Sequence, residues 1–341
     1  MRSQNPPLGV RGKVLVTGGT GFLGAYIIKK LIEKNYSVRA IRRSDKLPFF
    51  ISANVFDNVE WVDGDILDVV ALEEAMTGVD AVVHAAAKVS LVKSERREMF
   101  KTNIEGTANV MNTALSLDIK RMVHVSSIAA LGRNAAGEKV DETKKWQEGK
   151  GNTNYGVSKY YGEMETWRAI GEGLNAVIVN PSTVIGYGDW NTSSCAIFKS
   201  VYDEIPWYTN GVNGFVDVED VSKAIVQLME TEISGERFIL SGESASFHEL
   251  FNLIADAFGK KHPHREATAF LAALALRFEK IKSLFSGKPS ILTKESAMLA
   301  LSKTYFDNSK ILKTLPDFSF TKLEKSIEKA CKAYSLKAQN I

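Results

Sequence analysis

The sequence predicts an α/β protein: a doubly wound parallel sheet followed by a smaller, mainly helical lobe. Three observations predict it. Short apolar, β-branched runs alternate with helical segments from residue 13 to about residue 180. A glycine-rich turn separates the first run from the first helix. The alternation then loosens after Pro181, where short helical pieces dominate.

Lys13-Val14-Leu15-Val16-Thr17 is the first strand, stopped by Gly18-Gly19. Phe22 to Glu33 places Leu23, Ile27, Ile28, Leu31 and Ile32 at helical spacing. Ser37–Ile41, Val59–Val62, Ala81–His84, Arg121–Val125 and Ala176–Val179 read as the second to sixth strands. Helices are expected at Val69–Met76 and Arg97–Leu117. Strands this short and this apolar are buried on both faces, which is the signature of a parallel sheet covered by helices. One more strand-like run, Arg237–Leu240, follows in the looser region. The first lobe is therefore expected to hold residues 1–181 plus 214–241, and the second 182–213 plus 242–341. A chain of 341 residues is long for one core, so two lobes are natural.

Composition narrows the class. Apolar content of 45% and charged content of 24% are those of an ordinary globular protein. A net charge of +3 without a basic tract gives nucleic-acid binding no support. The two cysteines, Cys195 and Cys331, lack metal-ligand spacing, so no metal site is expected, and a reducing cytoplasm fits. Met1 to Arg11 has no apolar stretch resembling a secretory signal. The most apolar run, Ala267 to Leu276, is shorter than the roughly 20 residues a bilayer needs and reads as a buried helix.

The turn after the first strand carries chemistry. Gly19, Gly21 and Gly24 satisfy GxGxxG, and Gly18 precedes them. Such a turn lets backbone approach a pyrophosphate at a helix N-terminus, where free N–H groups and the positive dipole end favour an anion. A tight turn with no ligand is the plain alternative. The end of the second strand should then meet an adenosine ribose. An acidic residue there would take the 2′-hydroxyl of NAD, and an arginine the 2′-phosphate of NADP. Arg42-Arg43 stands there, and the first carboxylate is Asp45. This favours NADP, with NAD the alternative. After the third strand, Asp63 or Asp65 stands where an adenine amino group would donate.

Seven segments together resemble the extended short-chain dehydrogenases/reductases. They are Thr17-Gly18-Gly19-Thr20-Gly21-Phe22-Leu23-Gly24, Asp65-Ile66, His84-Ala85-Ala86-Ala87, Asn103-Ile104-Glu105-Gly106-Thr107, Ser126-Ser127, Tyr155-Gly156-Val157-Ser158-Lys159 and Asn180-Pro181-Ser182, with Phe215 to Val221 after them. The Asn180-Pro181 start is similar to the branch of dihydroflavonol reductases, cinnamoyl-CoA reductases and 3β-hydroxysteroid dehydrogenases. Tyr187 stands where a proline is common.

The resemblance implies a Rossmann first lobe, a substrate-binding second lobe, and Tyr155, Lys159, Ser127 and Asn103 as catalytic residues. It also implies a cofactor site including Ser126 and Pro181-Ser182-Thr183-Val184. Tyr155 and Lys159 are i and i+4 on a helix, so they share a face, and an ammonium there would lower the phenol pKa. Ser127 would orient a substrate oxygen, and Asn103 would position Lys159 through water. Each residue also has a plain structural reading: Tyr-x-x-x-Lys arises by chance, serines cap strands, and Asn103 can face solvent. His84 and His124 read as core histidines. Lys260, Lys261, His262, His264 and Arg265 read as a solvated basic turn, with a substrate phosphate site as the alternative.

The expected activity is NADP(H)-dependent reduction of an aldehyde or ketone, or the reverse oxidation. A sugar-nucleotide epimerase or dehydratase recycling NAD is the alternative, and a non-catalytic nucleotide sensor the third reading. Phe198, Tyr202, Ile205, Trp207, Tyr208 and Phe215 suggest an apolar substrate wall. A homodimer is expected through the helices of Asn103 and Tyr155, with Met99, Ile104, Val110, Met111, Met164 and Trp167 as its apolar face.

Overall fold

The structure, a computed structural model, describes residues 12–132, 138–149, 151–269, 271 and 293–338. Most of the apolar helix expected from Ala267 onward, and the N-terminal residues 1–11, lie outside them.

Seven strands form one parallel sheet: β1 Lys13–Thr17, β2 Ser37–Arg42, β3 Val59–Asp63, β4 Ala81–His84, β5 Arg121–Val125, β6 Ala176–Pro181 and β7 Glu236–Leu240. Their spatial order is β7-β6-β5-β4-β1-β2-β3, and every pairing is parallel. Alternate residues point to opposite faces. Val14 and Val16 of β1 therefore enter one core and Leu15 the other.

Helices α1 (Phe22–Glu33) and α5 (Val218–Met229) cover the first face. On the second face lie α2 (Val69–Met76) and α3, which runs from Arg96 to Ser116, with α4 (Asn154–Gly171) beside them. The chain runs outward through β2 and β3, then crosses to β4 on the far side of β1. The loops after β1 and β4 consequently diverge and leave a crevice at the carboxyl edge.

Helix α3 is not uniform. Lys101–Glu105 forms a π-helical turn between two α-helical stretches. Such turns cost regular hydrogen bonding and collect at functional sites. Asn103 sits inside it.

The rest of the described chain is mainly helical, with helices at Ala196–Tyr202, Phe247–Phe258, Lys294–Leu301 and Leu323–Ala338, and adds short strands. Thr183–Ile185, Val212–Asp217 and Glu243–Ser246 make a small mixed sheet, with Val212–Asp217 in the middle. Its core gathers Phe198, Phe215, Leu250, Ile254, Ile327 and Tyr334. Phe198 and Phe215, expected to face a substrate, are fully buried in this core. The reason is that a lobe this small needs its large aromatics to close its own interior. Late in the chain, Ile311, Leu315 and Phe318 leave this lobe and join the core of the first. Lys310 Nζ there donates to the carbonyl of Arg237 in β7 at 2.9 Å.

Candidate active site

The glycine turn is shaped by close approach. Gly18 has φ +73°, a left-handed conformation that side chains resist. A Cβ there would lie 2.7–2.9 Å from the backbone of Ala85 and Ala86 after β4. A Cβ on Gly24 would lie 2.0 Å from the carbonyl oxygen of Gly18. The N-cap of α1 is Gly21, whose backbone N–H donates to Gly18 O at 2.9 Å and which offers no capping side chain. The first-turn N–H groups of α1 thus have no side-chain acceptor, and a bound anion would satisfy them. This cradle fits a dinucleotide.

A cleft of about 360 Å³ opens from it. Gly18, Thr20 and Gly21 form its floor, with Arg42 and Arg43 at one end, Asp65-Ile66 on a side and Ala85-Ala86-Ala87 opposite. The two arginines differ. Arg42 donates from Nε to Asp63 at 2.8 Å, pairs with Asp45 at 2.6 Å and lies 5.6 Å from the Trp61 ring centroid. Arg43 is 70% exposed, with its nearest carboxylate, Asp65, at 3.7 Å. Only Arg43 has its guanidinium largely uncommitted. Asp65 itself accepts from Leu67 N at 3.0 Å, as a turn residue does.

Behind the cleft, Thr17 Oγ1 meets His84 Nδ1 at 2.8 Å, and His84 Nε2 meets Thr107 Oγ1 at 3.0 Å. Thr17 Oγ1 also accepts from Ala86 N at 3.2 Å, fixing the loop that Gly18 approaches. His84 and His124 are buried with ring centroids 5.2 Å apart. Burial, and the nearby Lys159 ammonium, push His84 down to about 3 and His124 well below its usual range.

Outside the lining of that cleft, Ser127 follows β5, and α4 carries Tyr155 and Lys159. Thr153 caps α4, its hydroxyl accepting from Gly156 N at 2.9 Å, so Tyr155 stands in the first turn. The Ser127 hydroxyl lies near the Tyr155 phenol and favours its ionised form. Ser127 Oγ accepts from Ala129 N at 3.2 Å. Lys159 is 3% exposed, and its Nζ donates to the Val125 carbonyl at 3.0 Å. Burial lowers Lys159 to about 8 against an opposing pull from Glu163. Tyr155 is instead raised above the usual phenol value, by burial, with the nearby Ser127 hydroxyl opposing. The expected lowering by Lys159 is not what the site shows. The ammonium is occupied by the Val125 carbonyl, and desolvation dominates.

Asn103 is 1% exposed, and its side chain is fully used. Oδ1 accepts from Lys88 N at 2.8 Å, while Nδ2 donates to Lys88 O and to Ser158 Oγ, both at 2.9 Å. Its hold on α4 therefore runs through Ser158, the neighbour of Lys159. The remaining expected cofactor residues are spread out. Phe22 and Leu23 start α1, where Phe22 packs edge-on against Tyr26 and Phe50. Ser126 is buried, its hydroxyl donating to Glu163 at 2.6 Å rather than facing the cleft. Pro181 ends β6, and Ser182 Oγ is buried with no partner. Thr183 Oγ1 accepts from Asn213 Nδ2 at 2.9 Å, beside half-buried Val184.

Two arrangements were not foreseen. Glu163, one helical turn beyond Lys159, is wholly buried and gathers Ser126, Asn180, Trp167 and Arg237. Its i+4 spacing from Lys159 was the available signal. Glu295, from the far lobe, accepts from Asn154 N at 2.9 Å and from its side-chain amide, while Arg96 donates to Asn154 Oδ1 at 2.7 Å. The sequence offers no signal for that contact. The basic turn is dispersed: His262 pairs with Asp256, Lys260 lies over Tyr202 and Arg265 over Trp207. Of the six expected dimer residues, Met99, Val110 and Met111 are buried within the fold. Among the described residues, no helix is long and apolar enough to cross a membrane.

Residues 14–240 match the model of the NAD dependent epimerase/dehydratase family. The chain is 31% identical over 312 residues to a putative dihydroflavonol 4-reductase of Synechocystis sp., covering 88% of each chain. It is 31% identical over 245 residues to cinnamoyl-CoA reductase 1 of Petunia hybrida, covering 67% of this chain and 73% of that one. Among solved structures, gox2253 superposes with a TM-score of 0.81 at 28% identity, covering 97% of this chain and 99% of that one. The UDP-glucose 4-epimerase of Thermotoga maritima, solved with UDP-glucose, superposes at 0.77 with 22% identity, covering 96% and 99%, and shares the fold. The chain belongs to the NAD-dependent epimerase/dehydratase family, the extended short-chain dehydrogenases/reductases, and is an NAD(P)-dependent enzyme of that type.

Proposed function

We propose that the protein is an NADP(H)-dependent reductase of an aldehyde or ketone, or catalyses the reverse alcohol oxidation, with Tyr155 as general acid/base. The observation that carries this reading is that Ser127 lies near the Tyr155 phenol, with Lys159 buried one turn further along the same helix and held on the Val125 carbonyl. When bound, the nicotinamide supplies or accepts a hydride at the substrate carbon. Tyr155 gives the proton to the substrate oxygen, which Ser127 holds by a second hydrogen bond. The transfer leaves a phenolate, and Lys159, mostly ammonium at neutral pH, supplies the positive charge that stabilises it. Asn103 holds Ser158, and so α4, at the required depth.

Arg43, at the cleft end with its guanidinium exposed, would grip the 2′-phosphate, which favours NADP over NAD. The reductase names among the relatives support carbonyl reduction. The contacts of His262 with Asp256, Lys260 with Tyr202 and Arg265 with Trp207 support the solvated-turn reading of the basic segment over a substrate phosphate site. With Phe198 and Phe215 spent on the lobe core, the apolar substrate wall falls to the half-buried Tyr202, Ile205 and Tyr208 and to Trp207. For a homodimer, Ile104, Met164 and Trp167 remain as the contact face, and light scattering at micromolar concentration checks it. A lobe division near residues 182 and 242 follows the reading of the sequence, with 309–320 returning to the first lobe.

The test is NADPH oxidation on a panel of aromatic and alicyclic aldehydes and ketones, beside epimerisation of UDP- and GDP-sugars. Tyr155→Phe should lose about 10²–10⁴-fold in turnover while keeping NADPH affinity. Native turnover in that variant, or sugar-nucleotide conversion with silence on every carbonyl, overturns the reading.

A further inference from the structure

We propose that Glu163, paired with Arg237, is a positioning residue for the reaction: it is the buried counter-charge of Lys159 and seats the Tyr155 helix on the sheet. The inference rests on the reading that Tyr155 and Lys159 carry the proton.

Glu163 has no solvent exposure. A carboxylate in that position needs partners for both oxygens. Oε2 takes Ser126 Oγ at 2.6 Å and Asn180 Nδ2 at 2.7 Å. Oε1 takes Arg237 NH1 at 3.0 Å and Trp167 Nε1 at 3.2 Å. These partners come from the ends of β5 and β6, from β7 and from α4 itself. One side chain thus pins α4 to three adjacent strands. Asn180 Nδ2 also donates to the Ser127 carbonyl at 3.0 Å. The pin is therefore shared with Ser127, the serine near the phenol.

The second part is electrostatic. Glu163 and Lys159 are i+4 and i on one helical face. The groups facing them can be named element by element. From β4 and β5 come His84 and His124, both neutral at physiological pH, and the Val125 carbonyl. From β7 comes Arg237, whose other donors go to the carbonyls of Glu142 at 2.9 Å and Lys144 at 2.7 Å. Glu142 itself accepts from Ile239 N, and Lys310 is spent on Glu236. Among the described residues, Glu163 is the carboxylate whose charge opposes the desolvation of Lys159. Arg237 in turn sets a positive charge 3.0 Å from the Glu163 carboxylate.

The sign follows. Without the negative charge on Glu163, desolvation acts alone and Lys159 loses its proton at lower pH. Without the positive charge on Arg237, Glu163 acts on Lys159 undiluted and Lys159 keeps its proton to higher pH. A purely structural role would move both variants in the same direction, or neither.

The experiment titrates Lys159 directly in cofactor-free protein, by NMR of isotopically labelled lysine side chains, with Lys159→Arg identifying the signal. Glu163→Gln should move the Lys159 midpoint down by about one unit, and Arg237→Gln should move it up by a similar amount. In NADPH-dependent reduction of the best aldehyde from the panel, the pH profile of kcat should shift in the same senses, with KM for NADPH little changed. An unmoved midpoint in Glu163→Gln, or equal displacements of one sign in both variants, overturns the inference. If Glu163→Gln does not fold, Arg237→Gln decides alone: a midpoint that fails to rise overturns it. The underlying reading fails separately, if Tyr155→Phe keeps native turnover, because the Lys159 titration does not depend on Tyr155.

Discussion

Replacing Gly24 by alanine tests the phosphate cradle at its tightest point. The added Cβ would sit 2.0 Å from the Gly18 carbonyl oxygen, 2.7 Å from its carbon and 3.1 Å from Gly19 Cα. Real Cβ atoms stay beyond 3.0 Å, so α1 and the turn must part by about 1 Å. All three neighbours are backbone, and no flexible side chain can give way. Overpacking of this kind costs about 1–3 kcal/mol, and for a chain this long about 2–4 °C of Tm per kcal/mol. The same displacement swings the first-turn N–H groups of α1 off a pyrophosphate. Each charge-assisted bond lost costs about 1.5–3 kcal/mol, or about 10–100-fold in affinity. Gly24→Ala should therefore lower Tm by several degrees and weaken NADPH by at least tenfold, read by calorimetry and by nicotinamide fluorescence titration. Gly171→Ala, at the exposed end of α4 with nothing within 4 Å of the new methyl, is the matched control and should hold or raise Tm. Native Tm and native NADPH affinity in Gly24→Ala would refute both the packing argument and the placement of the cofactor.

Two further outcomes follow from the geometry. Arg43→Ala should weaken NADPH about tenfold or more and leave NADH almost unchanged, whereas Arg42→Ala, which breaks pairs with Asp45 and Asp63, should lower Tm as well; equal affinity of the native protein for both dinucleotides contradicts the assignment. His84 and His124 stay neutral in the fold and take up protons when it opens, so their contribution is present above pH 6.5 and is lost as pH falls from there toward 3. Each should cost about 2 kcal/mol between pH 7 and pH 5, measured by urea denaturation, and a flat profile across that window argues against their buried pairing.

What was legible in the sequence depended on burial. The seven strands of the large sheet stood out because strands covered on both faces must be apolar along their whole length, as in Val14-Leu15-Val16 and Ala176-Val177-Ile178-Val179. The small sheet did not, because Glu243-Ser244-Ala245-Ser246 and Thr183-Val184-Ile185 are too short and too polar to show a period. The aromatics from Phe198 to Phe215 were visible, but nothing in their spacing tells an inward face from a pocket wall. Arg42 and Arg43 looked equivalent. Only the fold brings Asp63 and Trp61 beside the first and leaves the second open. Tyr155, Lys159, Ser127 and Asn103 were singled out by the order of their motifs along the chain. The π-turn that buries Asn103 leaves no mark on composition. Glu163 was overlooked because a glutamate on a helix is ordinarily a solvated residue, and its burial depends on Arg237 arriving from 74 positions away.

The return of Ile311, Leu315 and Phe318 to the first lobe bears on how the molecule is made. All seven strands of the large sheet have been synthesised once residue 240 is added, yet the apolar seam beside β7 stays open until these three side chains follow. At about 5–20 residues per second, that delay is on the order of ten seconds. During it the nascent sheet has an exposed greasy flank, a binding target for chaperones and a hazard for neighbouring chains on a polysome. The same seam limits what recombination can do. A gene fusion that exchanged everything after residue 242 for another substrate lobe would discard the late plug along with the pocket, and the recipient sheet would need a replacement for it before it could be inherited as a working module.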